Sequence, residues 1–163
     1  MRVARALAAV LAVPFIAAAT TLIPHTVQQR AEASDRVALV QVLSQRVEER
    51  PGEQFPLKTY TQVAIGSDFR GAGPSVVTIV QLGGTVGATS MEIPGDAKFR
   101  VGETAVVFLR CRLAPDRCHL VAMGAGKLDV MGEDAFVQDL TTKKWERKSL
   151  AALRAEVAGG VAR

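Results

Sequence analysis

The chain has 163 residues, 48% hydrophobic and 22% charged, with 14 Gly, 7 Pro, two Cys and two His. That length suits one domain, and the apolar fraction is too high for long disorder. So few His and Cys exclude most multi-ligand metal chemistry. The formal charge of +4 falls to +2 once Arg2 and Arg5 are set aside with the leader described next, which argues little for nucleic acid or acidic lipid.

Residues 1–19 open with Met1-Arg2-Val3-Ala4-Arg5 and continue without charge to Ala17-Ala18-Ala19. A basic start, an apolar run and an Ala-x-Ala end predict a secretory signal of the Sec type, cleaved after Ala19 to leave Thr20. The competing reading is an uncleaved anchor over 6–23. That run is Ala-rich and interrupted by Pro14, so its drive into a bilayer is weak. The expected destination is the periplasm or the outside of the cell.

The mature chain is expected to form one domain over 20–158, with 159–163 as a tail. Thr26 and Gln29 have capping-box spacing, which predicts a short helix over Val27–Ala33. Arg36–Val47 reads as a long strand, apolar on both faces in its middle. After the Arg50-Pro51-Gly52 turn, a second strand is expected over Leu57–Ile65, then a loop over Gly66–Pro74 in which Asp68 makes an Asx turn. Ser75–Leu82 is β-branched and reads as buried. Gly83-Gly84-Thr85-Val86-Gly87 breaks it, and a short strand follows at Met91–Ile93.

Glu103–Arg110 is the strongest strand signal, with Ala105-Val106-Val107-Phe108-Leu109 at its centre. Strands at His119–Met123 and Leu128–Met131 are expected to form a hairpin through Gly124-Ala125-Gly126-Lys127. Cys111 and Cys118 flank the Pro115-Asp116 turn signal, so a hairpin brings them together, and an oxidising compartment joins them. From Lys143 the composition turns to helix formers. Ser149 is the expected N-cap, with Leu150, Leu153 and Val157 on one face. The sum is a mainly β protein: a small OB-like barrel of about six strands, with a short helix before it and one after.

Several of these features resemble a known family. Pro24-His25, the short helix, Ser34-Asp35-Arg36-Val37 and the long strand resemble the opening of the netrin-like domain. That domain is shared by tissue inhibitors of metalloproteinases, and its barrel is an OB-fold. Phe99-Arg100-Val101-Gly102-Glu103 before Val106-Val107-Phe108-Leu109 is similar to the strand after that family's central loop. The chain is more similar still to secreted bacterial proteins of unknown function. It shares with them Gly83-Gly84-x-x-Gly87, Pro94-Gly95, Phe99-x-x-Gly102-Glu103 and the Gly126-Lys127 turn. The metalloproteinase inhibitors present a disulfide-held terminal Cys to the catalytic zinc. This chain has no Cys before Cys111. The resemblance implies, as an alternative function, an extracellular protease inhibitor that uses Thr20, Thr21, Pro24 and His25 as its contact edge.

Signs of catalysis are sparse. Gly83–Gly87 lacks the Lys-Ser/Thr ending of a phosphate loop, and no helical pattern follows it. A triad would need His25 or His119 beside a nucleophile such as Ser67 or Ser75, and no nucleophile elbow is present. A small hydrolase is therefore the third reading. No cofactor or metal is called for. Lys143, Lys144, Arg147, Lys148 and Arg154, with Trp145 among them, form the basic cluster, of which Lys143, Lys144, Trp145 and Arg147 are the candidate binding residues, and two readings compete for it. One is contact with an anionic polymer or lipid headgroup; the other is a solvated helix face whose Trp packs on the barrel. Nucleic acid is not an expected partner, given export and few aromatics. Membrane contact is expected only through an uncleaved leader or the basic C-terminal helix. The leading expectation is a secreted, non-catalytic binding or structural module of the bacterial envelope whose partner is another envelope or extracellular protein.

Overall fold

The computed structural model describes residues 26–159, the side chain of Leu113 excepted. The leader, its cleavage site, and Thr20, Thr21, Pro24 and His25 lie outside the described residues, as do residues 160–163 of the tail. Helix α1 spans Val27–Glu32 and starts at the expected capping box. The Thr26 hydroxyl accepts from Gln29 N at 3.1 Å, and the Gln29 side-chain oxygen accepts from Thr26 N at 3.1 Å.

Strand β1 (Arg36–Glu49) pairs antiparallel with β2 (Leu57–Arg70), and β2 with β3 (Val76–Leu82). The hairpin β4 (Gly84–Val86) and β5 (Thr89–Met91) follows, then β6 (Thr104–Ala114) and β7 (Arg117–Leu120). Strand β3 meets β7 in parallel through two residue pairs, Thr78↔Arg117 and Ile79↔Cys118. β7 is antiparallel to β6, and β6 returns to β1 from Arg36↔Leu109 to Gln41↔Thr104. Five strands thus close a barrel, β1-β2-β3-β7-β6-β1. This is an OB-like arrangement, with the expected helix on either side of it. Three register shifts between β1 and β2 supply the curvature that such long strands need to close.

Beyond the barrel, β8 (Lys127–Met131) lies on β6, followed by β9 (Asp134–Gln138) and β10 (Trp145–Ser149). Helix α2 (Leu150–Gly159) ends the described chain, with Ser149 Oγ accepting from Ala152 N at 3.2 Å as the expected cap.

Strand β6 explains its own composition. Ala105, Val107 and Leu109 point into the barrel beside Val40, Val42, Val63, Ile79 and Phe99. Val106 and Phe108 point the other way, into a second core with Val27, Leu128, Val137, Leu153 and Val157. A strand buried on both faces has no reason to alternate. Leu153 and Val157 occupy the buried face of α2 foreseen for them.

The structure corrects several local expectations. Residues 66–70 continue β2 instead of looping. Asp68 is not an Asx-turn residue but grips Arg36 at 2.6 and 3.0 Å. The Gly83–Gly87 break contains β4. Gly84 has φ +135°, and a Cβ there would lie 2.6 Å from Val47 Cγ1, so the hairpin lies flat against β1 and β2.

Gly124–Lys127 is not a hairpin turn. Met123–Gly126 form a 3-10 turn, and β8 pairs with β6, not with β7. A Cβ on Gly126 would sit 2.1 Å from the Val121 carbonyl oxygen, which is why a glycine stands there. Finally, residues 145–149 are strand β10; the basic segment is not helical, and the helix begins at Leu150.

Candidate functional site

The β8–β9–β10 meander presents two faces. In antiparallel pairing, residues directly opposite point to the same side. Ala135↔Lys148 and Val137↔Glu146 therefore share the face turned to α2, where Ala135 and Val137 are buried in the outer core. Phe136↔Arg147 and Gln138↔Trp145 share the opposite face. Trp145, the sole Trp of the chain, is 63% exposed there, and Phe136 is its half-buried diagonal neighbour. The expectation that Trp145 packs on the barrel is thus corrected. Apolar packing from α2 reaches only the other face of this sheet.

Lys143, Lys144 and Arg147 are all exposed beside Trp145, so the structure does gather this sequence-marked group. They belong to the β9–β10 turn and to the terminal strand of the sheet. Lys143 takes φ 58° at that turn, where Asp139 Oδ1 accepts from Thr141 N and Thr142 N at 2.7 and 3.0 Å. Arg147 approaches Asp134 at 3.7 Å with its side chain 71% exposed, a contact of little strength.

Lys148 behaves differently. It turns under the sheet to Glu156 of α2 at 2.7 Å, with Glu146 at 3.5 Å. The Glu156 hydrogen bond raises its pKa above the ordinary lysine value of 10.5 despite partial burial. A raised folded pKa means the tie contributes fully below the unfolded value and is lost as pH climbs through the folded one. Thermal melts of the wild type and Lys148→Met should therefore differ at neutral pH by about 0.5 kcal/mol. The difference should vanish as pH passes above 10.5. A gap that widens on that side would reject the assignment.

Of the residues weighed for hydrolysis, Ser67 and His119 are engaged separately. Ser67 Oγ accepts from Arg154 Nη2 at 2.8 Å. His119, on β7, has Nδ1 3.0 Å from the Val80 carbonyl, an acceptor, so that nitrogen carries a proton. Among the described residues, no three His, Cys, Asp or Glu side chains group to hold a metal ion. No described helix is long and apolar enough to cross a membrane. Cys111 and Cys118 are joined in a disulfide, as their flanking of the turn predicted, and this bond fits an oxidising compartment.

One concavity was not foreseen. A cleft of about 650 Å³ opens where β4–β5 folds over the ends of β1, β2 and β3, with Phe99 among its lining residues. Its polar groups largely serve the fold. Thr59 Oγ1 donates to Gly83 O at 2.7 Å and Gln81 Nε2 to Ala97 O at 2.8 Å, while Lys98 pairs with Glu92 at 2.8 Å. No local sequence signal marks it, because residues from five separate stretches build it.

No protein-family model matches this chain, and no curated protein matches it either. The reading of its function rests on the residues themselves.

Proposed function

We propose that this protein is an exported, non-catalytic binding module of the bacterial envelope, clipped after Ala19, that docks another extracytoplasmic protein through β10. The observation that carries this reading is Trp145, exposed on the last strand of the sheet with Lys143, Lys144 and Arg147 around it. An aromatic ring left in water beside flexible cations resembles the anchor of a protein interface, where Trp and Arg dominate binding energy. The apolar leader and the disulfide support the compartment. The netrin-like resemblance adds an OB-type scaffold, a fold that hosts many binding roles.

The test is a cross-linked pull-down from the envelope fraction with wild type and with Trp145→Ala/Lys144→Glu. Wild type is expected to retain one specific protein. The variant should lose it, with an unchanged circular dichroism spectrum. Removing such an anchor weakens binding by about 2 kcal/mol or more, roughly thirtyfold in affinity. Equal retention by both proteins rejects the reading.

A further inference from the structure

The exposed group lies on a strand whose outer side pairs with no other strand among the described residues, since β10 stands last after β9. The hydrogen bonds at its two ends set the phase. Asp139 N donates to Lys144 O at 2.9 Å, and Leu150 N donates to Glu133 O at 2.8 Å. Both pairs are in the same register as Trp145↔Gln138 and Ser149↔Asp134. Bonded pairs alternate in an antiparallel ladder, so Lys144, Glu146, Lys148 and Leu150 face β9. Trp145, Arg147 and Ser149 therefore turn their backbone groups outward. The residues with outward backbone are also those whose side chains share the exposed face.

We infer that the free edge of β10 takes an extended acidic segment of the partner as an added strand, resting on the reading of β10 as the docking surface. Trp145 and Arg147 supply an N–H and a C=O each, and Ser149 an N–H. The side chain of Trp145 then covers one apolar residue of the incoming strand.

Charge chooses the occupant. Lys143 and Lys144 make no ion pair among the described residues, and Arg147 has only the distant Asp134. A second copy of this chain is a poor guest, because antiparallel self-pairing about Arg147 sets like charges face to face. A basic segment is repelled for the same reason. A glutamate opposite Arg147, two residues along the guest from the apolar residue opposite Trp145, places both on the face those two side chains share.

The probe is a synthetic peptide of about seven residues in which valine and glutamate take turns at every second position, so that both lie on one face, with threonine between them. Its controls carry lysine for glutamate, or N-methyl groups on alternate amides. As the sole Trp, Trp145 reports binding directly by fluorescence. The acidic peptide is expected to shift its emission to shorter wavelength in a saturable way that salt weakens. Hydrogen exchange should slow at Trp145, Arg147 and Ser149 and stay unchanged at Glu146 and Lys148.

Arg147→Pro removes the charge and an outward N–H together and should abolish binding, whereas Arg147→Ala removes the charge alone and should weaken it roughly tenfold. The wild-type exchange pattern decides the matter if the proline variant does not fold. Binding of the N-methylated peptide, equal binding by both Arg147 variants, or no saturable shift overturns the added strand. If the pull-down still retains a Trp145-dependent partner, docking by side chains survives that result. Loss of both removes the docking surface itself.

Discussion

Replacing Asp68 with alanine is expected to destabilise the barrel by about 3–5 kcal/mol, because it strands a buried charge. The side chain of Arg36 is 4% exposed and that of Asp68 is 30% exposed. The guanidinium spends two bonds on Asp68, at 2.6 and 3.0 Å, and one on the Pro74 carbonyl at 2.9 Å. The pair ties the start of β1 to the end of β2, and the Pro74 bond draws the following loop over it. Removing the carboxylate leaves Arg36 without its counter-charge and without easy access to water.

The burden is unequal between the two partners. In Arg36→Met/Asp68→Ala no buried charge remains, and methionine fills part of the space. The double variant should therefore be more stable than Asp68→Ala alone, as judged by urea unfolding. A double variant as unstable as the sum of its two single changes would show that packing, not charge, holds this corner.

Reducing the Cys111–Cys118 bond is expected to cost about 2–3 kcal/mol, the chain-entropy value for so short a loop. The two cysteines are seven residues apart. The position of the bond decides how the loss appears. Cys118 is fully buried in the barrel interior and stands opposite Ile79 in the two-pair contact between β3 and β7. That contact is the shortest joint in the ring, whereas β1 and β2 pair along nearly their whole length. On reduction, hydrogen exchange should quicken first at Thr78, Ile79 and Cys118. The β1–β2 ladder should keep its protection. Uniform loss of protection would mean that the bond supports the whole domain and not the seam.

Much of this fold can be read from local sequence, wherever a local cause produces it. The Thr26–Gln29 box needs only residues three apart. The core of β6 announces itself by five consecutive apolar residues, and Ser149 by the helix pattern that follows it. The end of β2 could not be read so. Gly66, Ser67 and Asp68 are turn-formers, and what makes Asp68 a strand residue is an arginine 32 positions away.

The last strands failed for a related reason. Trp145-Glu146-Arg147-Lys148 carries no apolar alternation, and its residues favour helix. It becomes a strand because β9 offers an edge and α2 covers one face, both tertiary facts. The members of the exposed basic group around Trp145 were legible from their composition. The free backbone edge beside them was not, because it depends on which strand stands last.

Strand β6, shared by β1, β7 and β8, also sets the order in which the molecule can be completed. β1 finds its second neighbour only in β6, roughly seventy residues downstream. An exported chain emerges N-terminus first, so the β1–β2 ribbon stands half-clad until roughly forty more residues have followed it out. During that interval the valine-rich flank of β1 is open to any passing chain. Closing the barrel, and not forming the first ribbon, is the step that shields that flank.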